Sequence, residues 1–312
     1  MKNAKFIVLT VFLSISMLLA ACGGEDDTED SDGDNGDTNG DATEETVNYS
    51  EEVDYTIIGI EPGAGATGLT NTALEEYENL AGWEQVEGST AGMLTELDEA
   101  IRNEEPIIVV GWNPHYMFAQ HELKYLDDPK GSYGEEEQIH TIARMGLEED
   151  MPEAYEILDR FYWEVEDMEG VMLEALDSSV EEAASTWVEE NQDLVSEWTE
   201  GTEPVDGETI ELVITPWDSE RASGEVIKLV LEEQGYEVTI TPVDPAIVFQ
   251  AIANGEADAS LAPWLPITHG AFAEEYQDDY IDLGPNLDGT IIGLTVPEYM
   301  DIDSIEDLEP NN

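Results

Sequence analysis

Basic residues are nearly missing from this chain: nine Lys and Arg stand against 75 Asp and Glu, a formal net charge of -66. That scarcity excludes the positive footprint that nucleic acid requires and disfavours electrostatic docking on an anionic lipid surface. Cysteine is scarcer still. Cys22 is the only one, so no internal disulfide can form and stability must come from a core. Catalytic signatures are missing as well: there is no G-x-S-x-G elbow, Walker loop or H-E-x-x-H run, and no cysteine placed to act as a nucleophile. His115, His121, Asp218 and Glu220 match no metal-ligand spacing, and carboxylates are everywhere in this chain. No catalytic residue, metal or cofactor is therefore expected.

Apolar material is plentiful. Hydrophobic residues make up 41% of 312, with 12 Tyr, 7 Trp and 6 Phe, enough for a large core or two lobes, so most of the acid must lie on the surface. Lys2 and Lys5 precede an apolar stretch, Phe6 to Leu19, too short to span a membrane comfortably, and residues 1–21 are expected to be an export signal. Its end, Leu19-Ala20-Ala21-Cys22-Gly23, resembles the bacterial lipoprotein box, which implies lipidation at Cys22 and anchoring to the outer face of the cell membrane. Residues 22–52 are almost wholly Asp, Glu, Gly, Thr and Asn, a composition that cannot offset the entropy of ordering, and are expected to form a flexible acidic tether.

Beyond it a β-α-β-α-β pattern occurs twice. Thr56 to Ile60, Val86 and Ile107 to Trp112 read as strands, with helices over Leu69–Asn79 and Ala91–Arg102. The second unit has strands over Ile210–Thr215, Tyr236–Pro242 and Ala257–Trp264, with helices over Ser223–Gln234 and Ala246–Asn254. Further short strands are read at Ile139–Arg144 and Gly293–Val296. A helical stretch, Pro152 to Glu200, separates the units, and its Trp163, Trp187 and Trp198 are expected to be core. Two similar α/β lobes imply a ligand cleft between them. The first is assigned to residues 53–135, which 298–312 could complete, and the second to 136–297.

Three of the apolar runs end at tryptophan: Trp112, Trp217 and Trp264. Open α/β sheets bind ligands beyond the carboxyl ends of their strands. Indole faces gathered there suit a quaternary ammonium, which cannot donate a hydrogen bond but is attracted by the ring quadrupole. The Gly63-Ala64-Gly65-Ala66 loop opens a helix, whose free N–H groups can receive an anion without any basic side chain. Together with a donor on His269, five residues past Trp264, that arrangement suggests a zwitterion.

These motifs resemble those of the substrate-binding lipoproteins of ABC importers for glycine betaine and related compatible solutes. The resemblance spans about Thr56 to Leu308. It rests on Ile58-Gly59-Ile60-Glu61-Pro62-Gly63-Ala64-Gly65, Gly111-Trp112-Asn113-Pro114-His115-Tyr116-Met117-Phe118, Trp217-Asp218-Ser219-Glu220 and Trp264-Leu265-Pro266-Ile267-Thr268-His269, with Leu123 to Lys130, Ile139 to Ile142 and Ala257 to Ser260 between. It implies a two-lobed α/β periplasmic-binding-protein fold of the type II kind with the ligand in the inter-lobe cleft, and an osmoprotective role beside a permease and an ATPase. It also implies a trimethylammonium cage of Trp112, Trp217 and Trp264, and a carboxylate held by the Gly65 and Ala66 amides and His269. Other quaternary amines (proline betaine, choline or carnitine) are alternatives, as is a non-transport surface lipoprotein. Three departures stand out: Arg221 where relatives often carry a small or apolar residue, Ala66 in place of a larger apolar one, and halves whose order is circularly permuted.

The charge imbalance makes a direct prediction. Self-repulsion relaxes on screening, whose length falls to roughly 3 Å in molar salt. A salt-loving or alkaline habitat follows, and the melting temperature of the domain freed of its tail should rise with NaCl. A flat or falling curve would show that the acid is tolerated for another reason.

Overall fold

Two β-α-β-α-β units of the same topology recur in the computed structural model, which describes residues 47–312; the export signal, Cys22 and the tether up to residue 46 lie outside the described residues. Asn48 accepts the Glu51 N–H and starts a helical turn, α1 (Tyr49–Glu52), in which Ser50 is buried. The last residues of the expected tether are therefore ordered onto the domain, because a cap and a burying face outweigh their acidity. The first unit follows: β1 (Thr56–Ile58), α2 (Gly65–Glu76), β2 (Glu84–Val86), α3 (Thr90–Asn103) and β3 (Val109–Asn113). Its strands are parallel in the order β2-β1-β3. Ile107 to Val110 is buried throughout, as a central parallel strand covered on both faces must be. Met93, Leu97 and Ala100 fall on the buried face of α3, which starts where Ser89 caps the Gly92 N–H and ends at Glu104 in the left-handed region.

A short α4 (Met117–Gln120) and β4 (Leu123–Tyr125) lead to β5 (Glu137–Arg144) and then to a helical block. That block comprises α5 (Leu147–Asp150), α6 (Pro152–Arg160), α7 (Val165–Ala175), α8 (Val180–Glu190) and α9 (Gln192–Trp198). The second unit is β6 (Thr209–Ile214), α10 (Asp218–Glu233), β7 (Glu237–Pro242), α11 (Pro245–Asn254) and β8 (Ala259–Ser260), with parallel order β7-β6-β8. After it come β9 (Trp264–Leu265), α12 (Gly270–Glu275) and a long strand, β10 (Tyr280–Pro297).

The two-lobed α/β fold depends on β10. From Tyr280 to Thr290 it pairs antiparallel with β5, and from Ile291 to Pro297 with β3 and β4. One strand thus belongs to both sheets and sets how they meet. The sequence pattern exposes only Gly293–Val296, because Gly284, Pro285 and Gly289 interrupt the apolar rhythm; the strand absorbs them as register shifts near Asp282, Pro285 and Asp288. Residues Ile291 to Pro297, assigned by sequence to the second lobe, pair with strands of the first. The C-terminal segment lies there too: Asn79 Nδ2 donates to the Ile305 carbonyl at 2.6 Å and the Trp83 indole to that of Glu309 at 2.8 Å.

Three expected elements change. The run Ala257–Trp264 is not one strand but the two-residue β8 and β9, since Pro263 carries no N–H for a ladder; its carbonyl accepts the His140 N–H at 2.8 Å. The helices expected from Leu69 and Ser223 begin earlier, at Gly65 and Asp218, so both loops before them are shorter than their Gly, Pro and Asp content suggests.

The helical block buries Trp163, Trp187 and Trp198. Trp187 and Trp198, on α8 and α9, stack at 5.9 Å and 13°, while Trp163 stands edge-on to Trp187 at 5.5 Å and Phe161 edge-on to Trp198 at 5.0 Å. Trp198→Ala should destabilise the protein by about 3–5 kcal/mol, the usual range for a buried aromatic truncated to alanine. Denaturant unfolding with a loss below about 1 kcal/mol would contradict a structural role for this cluster.

Candidate ligand-binding site

Local chemistry brings six sequence-predicted residues to one cavity. Trp112 comes from β3, Trp217 precedes α10 as its N-cap residue, and Trp264 opens β9. Only Trp112 sits near the end of its unit's strand; the other two reach the cavity from a cap and from a strand outside the repeated unit. Gly65 and Ala66 are the first residues of α2, and His269 is the N-cap residue of α12. All six line one cavity. Ile60, Thr268 and Ile292 contribute to its wall.

The cavity wall combines indoles with the start of a helix and a histidine. Trp112 and Trp264 are 5% and 4% exposed, so most of each ring is withdrawn from water. At the start of α2, which also lines the cavity, the first N–H groups have no acceptor within the helix, and its N-cap residue Ala64 offers no capping side chain. These groups carry the positive end of the helix dipole. Gly65 is required where it stands, because a Cβ there would collide with Thr268, reaching 2.7 Å from its backbone oxygen. Thr268 is itself fixed: Glu137, 4% exposed, accepts from the Ile267 and Thr268 N–H groups at 2.9 and 3.0 Å and from the Thr268 hydroxyl.

His269 supplies a side-chain donor. Its Nδ1 accepts the Trp264 N–H at 2.9 Å, which assigns the proton to Nε2. Nε2 is buried and has no partner. Burial lowers the His269 pKa from 6.5 to about 4, so the ring is neutral near pH 7 and still able to donate.

Contacts to the indole N–H groups add two carboxylates that sequence reasoning did not single out for the site. Glu61, in the loop after β1, accepts the Trp217 indole N–H at 3.1 Å and the Thr90 N–H and hydroxyl at 2.9 and 2.8 Å. Burial raises its pKa, but the bonds from Thr90 and Trp217 outweigh this and hold the carboxyl below its ordinary value. Glu220, the third residue of α10, is 1% exposed and lines the cavity itself. Its Oε1 accepts the Trp264 indole N–H at 2.8 Å. In a chain with 75 acidic residues one glutamate carries no signal; only burial distinguishes it.

His115 and Asp218 also approach each other between the lobes, with Nε2 and Oδ2 3.9 Å apart, and the His115 ring stands edge-on to Trp112 at 4.7 Å. His121 lies elsewhere, paired with Asp98 at 2.7 Å. Among the described residues no three His, Cys, Asp or Glu group as a metal site would need. Arg221 does not line the indole cavity. It is exposed in a wider groove on the other side of Trp217, so its charge does not enter the cage.

The histidine gives a pH prediction. Its folded pKa is depressed, so the stability tied to neutral His269 is full above pH 6.5 and is lost as pH falls through about 4. Wild type should lose stability relative to His269→Gln across that window in parallel denaturation series. A constant difference between the two proteins would contradict the neutral, buried ring.

Comparison with known proteins places these features in context. The family described as "Substrate binding domain of ABC-type glycine betaine transport system" matches residues 32–190 and 208–312. A glycine betaine/carnitine transport binding protein of Listeria monocytogenes is 46% identical over 262 residues, 83% of this chain and 87% of the relative. Among solved structures, a lactococcal protein of this kind, closed around glycine betaine, is 44% identical with a TM-score of 0.47. That match covers 48% of this chain and 59% of the lactococcal one, less than two-thirds of it. A glycine betaine/L-proline-binding protein from Borrelia burgdorferi is 34% identical over 49% of this chain and 58% of its own, with a TM-score of 0.45.

Proposed function

Since the chain belongs to the substrate-binding family of ABC-type glycine betaine transport systems, we propose that its inter-lobe cavity takes glycine betaine. The trimethylammonium group lies among Trp112, Trp217 and Trp264, and the carboxylate on His269 Nε2 and the Gly65 and Ala66 N–H groups. One observation carries this reading: a buried, unpartnered N–H on His269 in the wall of a cavity that three indoles also line. An unpaired donor away from water is costly, and an anionic group on the ligand relieves that cost. The indoles offer the complementary half, attracting a methylated cation that needs no hydrogen bond.

The family is one of transport binding proteins and not of enzymes. The protein accordingly captures its ligand outside the cytoplasm and passes it to a permease driven by an ATPase, for osmoprotection in salt. Anchoring through a lipid on Cys22 is part of the proposal, supported by Leu19-Ala20-Ala21-Cys22 after the apolar stretch. So is circular permutation of the halves, supported by the Trp217 unit following the Trp112 unit in the chain. Among the described residues no helix is long and apolar enough to cross a membrane. Proline betaine and carnitine carry both charges and fit the same donors; choline would leave the His269 N–H unpaired.

Calorimetric titration tests the assignment. Trp112→Ala, Trp217→Ala and Trp264→Ala should each weaken glycine betaine by about tenfold or more, the equivalent of about 1–2 kcal/mol per cation–π contact. His269→Ala should weaken glycine betaine and spare choline. Parent-like binding by all three tryptophan variants would make the indoles structural and refute the reading.

A further inference from the structure

Glu220 is a buried carboxyl without a visible counter-charge, and burial pushes its pKa above the ordinary value. Its carboxylate is 1% exposed, and its partners in the described structure are neutral: the Trp264 indole N–H at 2.8 Å on Oε1 and the Ser219 hydroxyl at 2.7 Å on Oε2. No Lys, Arg or His among the described residues forms an ion pair with it. Arg221, its neighbour in sequence, lines the outer groove and not the cavity. Buried carboxylates are ordinarily paired or bound to a metal, because desolvating an unpaired one is costly. Glu220 is also the only acidic side chain in the wall of the indole cavity.

Both properties meet in a cationic guest. A quaternary ammonium carries no N–H and cannot make a salt bridge in the hydrogen-bonded sense, but Coulomb attraction needs only proximity and low dielectric. The indole links the two charges as well. A carboxylate accepting the Trp264 N–H polarises that ring, and a more negative ring face attracts a cation more strongly.

We infer that Glu220 is the counter-charge of the cage: lining the cavity and holding the Trp264 indole, it makes the site prefer a charged trimethylammonium group over an uncharged group of the same shape. The inference rests on the proposed binding of a quaternary ammonium and deepens it, because it assigns charge selection to a residue that touches neither the ligand's carboxylate nor the donors that hold it. Glu61 plays a different part. It holds the Trp217 indole from the opposite lobe and lines the outer groove, so it orients that ring without facing the guest.

The experiment compares glycine betaine with tert-butylacetate, its isostere with carbon in place of nitrogen, by calorimetry on wild type, Glu220→Gln and Glu220→Asp. Gln keeps an acceptor for the indole N–H and removes the charge. Glu220→Gln should bind glycine betaine at least about tenfold more weakly while tert-butylacetate changes by less than about threefold, so the preference collapses. Glu220→Asp keeps the charge and should keep the preference even where both ligands weaken. Equal weakening of both ligands in Glu220→Gln would mean that Glu220 only positions Trp264, and would overturn the inference. If Glu220→Gln does not fold, Glu220→Leu, which replaces the buried charge by apolar volume, carries the same comparison. Wild type that binds tert-butylacetate as well as glycine betaine also overturns it. Wild type that binds no quaternary ammonium would overturn the functional reading itself, and this inference with it.

Discussion

Polar groups held away from water must find partners, and on the proposed reading a ligand supplies them for two such groups in this protein. His269 Nε2 is buried and unpaired, and the Glu220 carboxylate is buried with neutral donors alone. Other buried carboxylates are satisfied within the protein. Glu137 gathers two backbone N–H groups and a hydroxyl, and Asp258 bridges the Arg144 guanidinium at 2.7 Å and the Glu211 N–H at 2.8 Å. A donor fixed in place before binding, as His269 is, loses little entropy when a ligand arrives, which is what a preorganised binding site requires.

The fold builds the cavity from two sides. Two parallel three-stranded units contribute the site from opposite sides, Trp112 from the first and Trp217 from the second, and β10 ties both sheets together. Contacts such as Trp217 on Glu61 and Thr268 against Gly65 run between the lobes, so the cavity exists only where they meet. A ligand touching both sides therefore stabilises one relation of the lobes over others, which is how its binding becomes a signal to a partner. The acidic surface stands outside this logic. Its mutual repulsion is screened by salt, while the indole cavity lies in a part of the molecule largely shielded from solvent.

Much of this was legible in the sequence, for physical reasons that differ between parts. The duplicated units show themselves because buried parallel strands produce apolar runs, as at Ile107 to Val110 and Leu212 to Ile214. Trp112, Trp217 and Trp264 stand out because tryptophan is rare and follows those runs. The long strand β10 is hidden, since Gly284, Pro285 and Gly289 imitate a loop and only pairing with β5 reveals a strand that tolerates bulges. Ile292 of the cavity wall was missed with it. Glu61 and Glu220 are invisible for another reason: in so acidic a chain their type carries no information, and their roles appear only in three-dimensional burial and in the indoles they hold. Arg221 shows the reverse. Sequence proximity set it beside the cage, whereas the start of α10 at Asp218 turns it to the outer groove.

The central claim is that one cavity pairs a methylated cation with the indoles and an anion with the donors facing them. A crystal structure of the protein grown with glycine betaine tests it most directly. The account predicts the trimethylammonium group in contact with Trp112, Trp217 and Trp264, and a carboxylate oxygen within hydrogen-bonding distance of His269 Nε2 and the Gly65 and Ala66 N–H groups. Ligand density in the wider groove beside Arg221, with the indole cavity unchanged, would contradict it.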